Sequence, residues 1–366
     1  VNIASYSGHN SLRNIVIGKD YQRFSTPKEI EDMKNLLRLD MKAGALGLST
    51  GLEYDPGIYS ETDEVIALLE VVPEDQGRYA SHIRSEDVHL ESALDEFIEI
   101  SRKSKLPSQI SHIKLARRDL WGQTSWMINK LNAARQEGLD ITADIYPYTY
   151  WESTMRTLFA KRDFDNRDSA EFALTELVHP NQLTLSHYEP DPNLVGKTIA
   201  EIAVMRKEDP VTVLMNLIQD DKTKTDSVIG VSMIQPDIDK LMQWEHSNIC
   251  SDGALNNGHP RGRGAFARIL ANYVRSRGIL GWENAIHKMT QLSALHMGFK
   301  NRGVIKSGAI ADLVLFDPEK IQDNATMDDI NRLSSGIINV WVGGELVYSD
   351  KKSTGLRPGQ VIRRAD

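Results

Sequence analysis

The chain has 366 residues, 40% of them hydrophobic, and a formal net charge of −8. That is enough apolar material for a large core, and the length suits two domains or one barrel with an appendage. An acidic chain without a Lys/Arg cluster excludes a phosphate-binding face of the nucleic-acid type, a single cysteine (Cys250) excludes an internal disulfide framework, and no apolar run approaches the roughly 20 residues that span a bilayer.

In chain order, residues 2–8 form a first strand candidate. Ser25 or Thr26 caps a helix starting near Pro27, with Ile30, Met33, Leu36 and Leu37 at helical spacing. Gly44 to Ser49 is a second strand, and the Thr50–Tyr59 stretch with its Pro56-Gly57 turn is loop. Ser60 followed by Asp63 opens the next helix in capping-box fashion. A strand ending at His82 precedes a helix over about 88–103, and a strand ending at His112 precedes one over about 121–137, closed by Gly138. The strand 140–146 ends in Tyr146-Pro147-Tyr148. Residues 150–245 break this rhythm, with a short strand near Gln182–Ser186 and helices near 196–205 and 210–219. A sixth strand runs to Asp252, followed by helices at about 264–277 and 282–297. From Gly303 the pattern turns to β: Gly308 to Asp317 is a strand, and Ile337–Val342, Gly343-Gly344 and Glu345–Tyr348 form a hairpin. Alternation of strand and helix signals a parallel sheet. The expected fold is α/β, a (β/α)8 TIM-type barrel over residues 1–300. It shows six strands, read as strands 3–8 with the first two missing from the N-terminal side. An insertion over about 150–245 follows strand 7, and 301–366 belongs to a small β domain.

Four strand ends carry His82, His112, Asp144 and Asp252. Side chains at the C-terminal ends of barrel strands converge on one mouth. Two imidazoles there suit a divalent metal, zinc for preference, and a carboxylate can shuttle a proton. A lone histidine at a strand end is more often a hydrogen-bonded cap, and Asp252-Gly253 also reads as a turn; the repetition at equivalent ends favours the metal. Lys114, Tyr146 and Arg261 follow strand ends, and Tyr54 and Tyr59 sit in the Gly/Pro loop, where cationic and phenolic donors suit a carboxylate-bearing substrate. Gly47-Leu48-Ser49-Thr50-Gly51 matches the G-x-S-x-G nucleophile pattern, but that motif needs a helix directly after the serine, and loop follows here. Cys250, inside an apolar strand, reads as packing.

Taken together, Gly44 to Tyr54, Ser81-His82-Ile83-Arg84, Ser111-His112-Ile113-Lys114, Ala143 to Tyr148, Ser251-Asp252-Gly253 and His259-Pro260-Arg261 resemble the D-aminoacylase (N-acyl-D-amino-acid deacylase) branch of the amidohydrolase superfamily. The resemblance covers nearly the whole chain. It implies zinc-dependent hydrolysis of the amide of N-acyl-D-amino acids to a carboxylate and a free D-amino acid. It implies that His82 and His112 hold one zinc ion tightly, with a second, weak site in the full-length protein. Asp252 is then the general base and acid. Lys114, Tyr146 and Arg261 hold the substrate carboxylate, and Tyr54 lies toward the acyl side. Asp144 has no assigned role beyond orienting a neighbour.

The pattern departs from the family's at two points: no H-x-H pair occurs in the chain, and Cys250 is misplaced for a metal ligand. Both features belong to the first two strands, so the chain is expected to be a fragment with impaired metal binding and activity. Two alternatives stand beside the deacylase: a cyclic-amide hydrolase similar to dihydroorotase or hydantoinase, and a non-catalytic remnant. The expected partner is a small N-acyl amino acid, with neither nucleic acid nor membrane. Side-chain preference, acyl length and oligomeric state are open, as is the compartment, the cytoplasm being favoured slightly.

Overall fold

A computed structural model of the chain describes residues 1–73, 76–254 and 258–364. The final two residues of the expected 301–366 segment therefore lie outside the described residues.

Along the first part of the chain, strands and helices alternate: β1 (Ser7–Gly8), α1 (His9–Val16), α2 (Pro27–Ala43), β2 (Gly47–Gly51), α3 (Thr62–Leu69), β3 (Arg78–His82), α4 (Leu90–Ser104), β4 (Ser108–Ile110), α5 (Thr124–Gln136) and β5 (Ile141–Ile145). Next come β6 (Tyr150–Ser153), α6 (Arg167–Phe172), β7 (Leu183–His187), α7 (Ile199–Arg206), α8 (Pro210–Asp220) and β8 (Ser227–Val231). The alternation resumes with α9 (Gln235–Gln243), β9 (Ser247–Ile249), α10 (Arg261–Arg268), α11 (Trp282–Met289) and α12 (Gln291–Met297). Four strands close the chain: β10 (Leu313–Phe316), β11 (Ile337–Val342), β12 (Glu345–Ser349) and β13 (Lys352–Ser353).

β1, β2, β3, β4, β5 and β9 form one parallel sheet in that order. Its register pairs Gly51 with His82, Ser81 with Ile110, Ala143 with Ile110 and Ile145 with Ile249. Parallel neighbours in chain order with helical crossovers are the TIM-type arrangement. The pairing aligns the C-terminal ends of β3, β4, β5 and β9, so the residues just beyond them meet. The core between sheet and helices includes Met33, Leu37, Leu48, Leu94, Phe97, Leu131 and Ile141, all fully or almost fully buried. Between β5 and α9 the chain builds a second, antiparallel sheet, ordered β6-β8-β7, on its own apolar cluster of Met155, Leu174, Leu185, Leu214 and Leu217. The terminal strands pair in the order β10-β11-β12-β13, also antiparallel.

Local signals act as their chemistry dictates in some places and not in others. Thr26 caps α2, and its box with Glu29 is complete. The box expected at Ser60 and Asp63 does not form: α3 begins at Thr62, and the Ser60 hydroxyl donates to Gly57 O at 2.7 Å. The first strand is shorter than expected, because α1 begins at His9. Two of the three buried residues of that helix are polar, His9 and Arg13, so it lacks an apolar stripe. Both are neutralised through α3: His9 Nε2 lies 2.7 Å from Glu64 Oε1, and Arg13 Nη1 donates to both Glu64 oxygens at 2.8 and 2.6 Å. The helix expected over 282–297 breaks at Thr290 into α11 and α12. Ser49 lies inside β2, and irregular chain rather than a helix follows the strand directly, so the G-x-S-x-G match is not a nucleophile elbow.

Candidate metal centre and active site

β3 ends on His82, and β4 ends at Ile110, two residues short of His112. Beyond β4 the backbone turns sharply, placing His112 at φ 41°, a left-handed conformation rare for a residue with a side chain. Asp144 of β5 holds it there. Its Oδ1 accepts the His112 backbone N–H at 2.7 Å, and its other oxygen takes a hydrogen bond from Gln109 Nε2. His82 Nδ1 and His112 Nε2 then lie 3.0 Å apart, with ring centroids 4.6 Å from each other.

The outward nitrogen of each ring meets a carboxylate. Glu53 Oε2 is 2.7 Å from His82 Nε2, and Glu86 Oε1 is 3.0 Å from His112 Nδ1. A carboxylate behind each imidazole is how metal-ligating histidines are oriented and made more basic. Ligand atoms of His82, Glu86 and His112 all lie within 4.8 Å of one another. Two imidazoles and a carboxylate are nitrogen and oxygen donors of the type zinc accepts, so the residues present fit such an ion.

The charges in this nest balance locally. Burial works against ionising Glu86, but Lys114, whose Nζ donates to Glu86 Oε1 at 2.6 Å, and the two histidines outweigh it and hold the carboxyl well below its usual range. Burial pushes Glu53 the other way, above the ordinary carboxylate range, and its hydrogen bond to His82 only partly offsets this. For His82, burial disfavours the charged ring, yet the Glu86 charge and the Glu53 bond together raise its pKa.

Asp252 follows β9 and also has a left-handed backbone, φ 46°. Its Oδ2 lies 2.7 Å from Arg261 Nη1, at the start of α10. The Arg261 guanidinium sits 4.8 Å from the Tyr146 ring centroid, and Lys114 Nζ sits 5.7 Å from it on the β4 side. Tyr146 Oη and Arg261 Nε are buried and make no hydrogen bond among the described residues. Tyr54 packs on His82, with ring centroids 4.5 Å apart. One cavity is lined by His82, His112, Lys114, Tyr146, Asp252 and Arg261, with Tyr54 in its wall. The cavity lining does not include Tyr59, which packs against Tyr21 with centroids 5.8 Å apart. Cys250 is not a nucleophile candidate: burial, with Asp144 nearby, pushes its thiol far up.

Glu53 and Glu86 are the site residues that strand-end reasoning misses. Glu86 stands four residues beyond His82 and Glu53 immediately before Tyr54, both in irregular chain. A spacing of one acid just past a strand-end histidine is the only trace Glu86 leaves in the sequence.

A model described as the amidohydrolase family matches residues 129–348. Over 366 aligned residues the chain is 31% identical to D-aminoacylase of Alcaligenes xylosoxydans xylosoxydans, an alignment covering 100% of this chain and 70% of that protein. The chain belongs to the amidohydrolase family. This amidohydrolase is also 32% identical, over 366 residues, to an N-acyl-D-glutamate deacylase of Alcaligenes xylosoxydans xylosoxydans, covering 100% of this chain and 70% of the relative. Among solved structures, an N-acyl-D-glutamate deacylase from Bordetella bronchiseptica, complexed with zinc and a phosphonate that mimics the tetrahedral intermediate, superposes with a TM-score of 0.87 at 32% identity, covering 99% of this chain and 72% of that one. The amidohydrolase fold, with its parallel central sheet, is thus shared along the whole length of the chain.

Proposed function

We propose that this amidohydrolase is a zinc-dependent deacylase that hydrolyses the amide bond of N-acyl-D-amino acids to a carboxylate and a free D-amino acid. The observation that carries the reading is the single cavity in which the His82–His112 pair, the Asp252 carboxylate and the unpartnered donors of Tyr146 and Arg261 meet. Likeness to the deacylases, one solved with zinc and a mimic of the tetrahedral intermediate, supports it.

His82 and His112 hold the ion, with Glu53 and Glu86 orienting their rings. Zinc bound there supplies Lewis-acid polarisation and lowers the pKa of water. Asp252 takes a proton from the attacking water and delivers it to the leaving amine as the C–N bond breaks and the C–O bond forms. Buried polar groups rarely stay unpaired, and the substrate carboxylate satisfies Tyr146 Oη and Arg261 Nε, with Lys114 adding charge. Tyr54, packed on His82, faces the acyl group. We read the six parallel strands as strands three to eight of the barrel, the β6-β8-β7 segment as an insertion after the seventh, and residues 301–366 as part of a small β domain. A cyclic-amide hydrolase with a lysine carbamate fits less well, since the Lys114 ammonium already donates to Glu86 at 2.6 Å.

Asp252→Asn tests the assignment. Zinc content should be retained while kcat for N-acetyl-D-amino acids falls by about 10²–10⁴. Unchanged hydrolysis removes Asp252 as the proton shuttle, and a well-folded chain that binds no zinc overturns the reading as a whole.

A further inference from the structure

The chain is 31% identical to a D-aminoacylase and 32% identical to an N-acyl-D-glutamate deacylase, so overall identity does not choose among side chains. The cavity does. Glu152 of β6 lines it. Its Oε1 accepts from Ser186 Oγ at 2.8 Å, Ser227 Oγ at 3.2 Å and Gly258 N at 2.9 Å. Its Oε2 is buried and has no hydrogen-bond partner among the described residues. A shielded carboxylate oxygen with nothing to accept from is costly, and a ligand donor resolves it.

Gly258 also fixes which part of a substrate Glu152 faces. It stands three residues before Arg261, so Glu152 is tied to the loop that carries the carboxylate-binding guanidinium. The side chain of an amino acid leaves the same carbon as that carboxylate, so a group tied to this loop stands near it. Trp151, Leu158 and Leu177 add apolar wall to the same cavity, suited to the methylene stem of a long side chain. The cationic side chains among the described lining residues are Lys114 and Arg261, besides the histidines. In the reading above both already serve the substrate's α-carboxylate, and each also neutralises a carboxylate of the cavity, Lys114 that of Glu86 and Arg261 that of Asp252, so neither is spare for an acidic side chain.

We propose that Glu152 sets the side-chain preference, so that the cavity takes N-acyl-D-amino acids with a long, cationic side chain and rejects acidic ones. This rests on the deacylase reading above. Measured kcat/KM for N-acetyl-D-lysine, N-acetyl-D-norleucine and N-acetyl-D-glutamate should fall in that order, with lysine over glutamate by about a hundredfold or more, as expected for like charges brought together. Glu152→Gln keeps an oxygen for the serines and Gly258, and should cut the lysine-to-glutamate ratio at least about tenfold, mainly through KM. Glu152→Lys should invert it; where that variant does not fold, as judged by circular dichroism and zinc content, the glutamine variant decides. Wild-type preference for N-acetyl-D-glutamate, or a ratio unmoved in Glu152→Gln, overturns the inference and leaves deacylation standing. Amine release from none of the three overturns the deacylase reading itself.

Discussion

At His112 the backbone sits at φ 41°, and at Asp252 at φ 46°. Conformations of this kind cost about 1–3 kcal/mol for a residue with a Cβ and persist only where surrounding contacts impose them. For His112 the imposing contact is Asp144, whose carboxylate takes the His112 N–H at 2.7 Å. Asp144 therefore positions an imidazole without touching the ion's place. Asp144→Ala should weaken zinc affinity about ten- to a hundredfold, the range for loss of an orienting partner. Competition against a chelator measures it, and an unshifted zinc affinity would show that β4 alone sets the turn. Glu53 and Glu86 act at the same scale, fixing the rings from behind.

The antiparallel unit between β5 and α9 carries its own pin. Arg156 contacts Asp226, sits 3.4 Å from Asp221 Oδ2 and donates to the Asp221 and Ile218 carbonyls at 2.9 Å each. Burial opposes ionisation of Asp221, but the Thr223 hydroxyl at 2.6 Å and the Asp226 N–H at 2.9 Å outweigh it and hold the carboxyl down at about 2, below its usual 3.8. The folded state thus binds this proton less readily than the unfolded state. The stabilisation is fully present above about pH 4 and is lost as pH falls toward about 2. The gap in denaturant midpoint between the wild type and Asp221→Asn should narrow over that window. A gap constant with pH would mean that the ionised carboxylate is not what pins the unit.

Across the molecule, that unit meets the barrel mouth at Gly258. A Cβ there would collide with the Ser186 side chain and come within 3.1 Å of Glu152 Oε1. Close contact between this loop and β6 and β7 holds Arg261 three residues away. Gly258→Val should push the loop outward and raise KM for N-acyl-D-amino acids about ten- to a hundredfold, the equivalent of an overpacking cost of about 1–3 kcal/mol, with zinc content unchanged. An unaltered KM would show that Arg261 is placed by α10 and not by this contact. Together with the aligned strand ends of the parallel sheet, this contact brings groups on or just beyond β3, β4, β5, β6 and β9 into one cavity.

The strand-end residues His82, His112, Asp144 and Asp252 were legible in the linear sequence, because a short apolar run followed by a polar residue and a turn is a local signal. So were α2, with its Thr26–Glu29 box, and the terminal hairpin, each set by neighbours in sequence. Helix α1 was not, since its buried face is polar and becomes acceptable only when Glu64, 55 residues from His9, arrives to neutralise it. Glu53 and Glu86 were hidden for the same reason. Glu53 reaches His82 across 29 residues, and Glu86 reaches His112 across 26, through irregular chain whose course only packing decides. Local pattern names the residues that can do chemistry. Burial and long-range pairing decide which carboxylates stand behind the imidazoles and which one, Glu152, is left with an open oxygen.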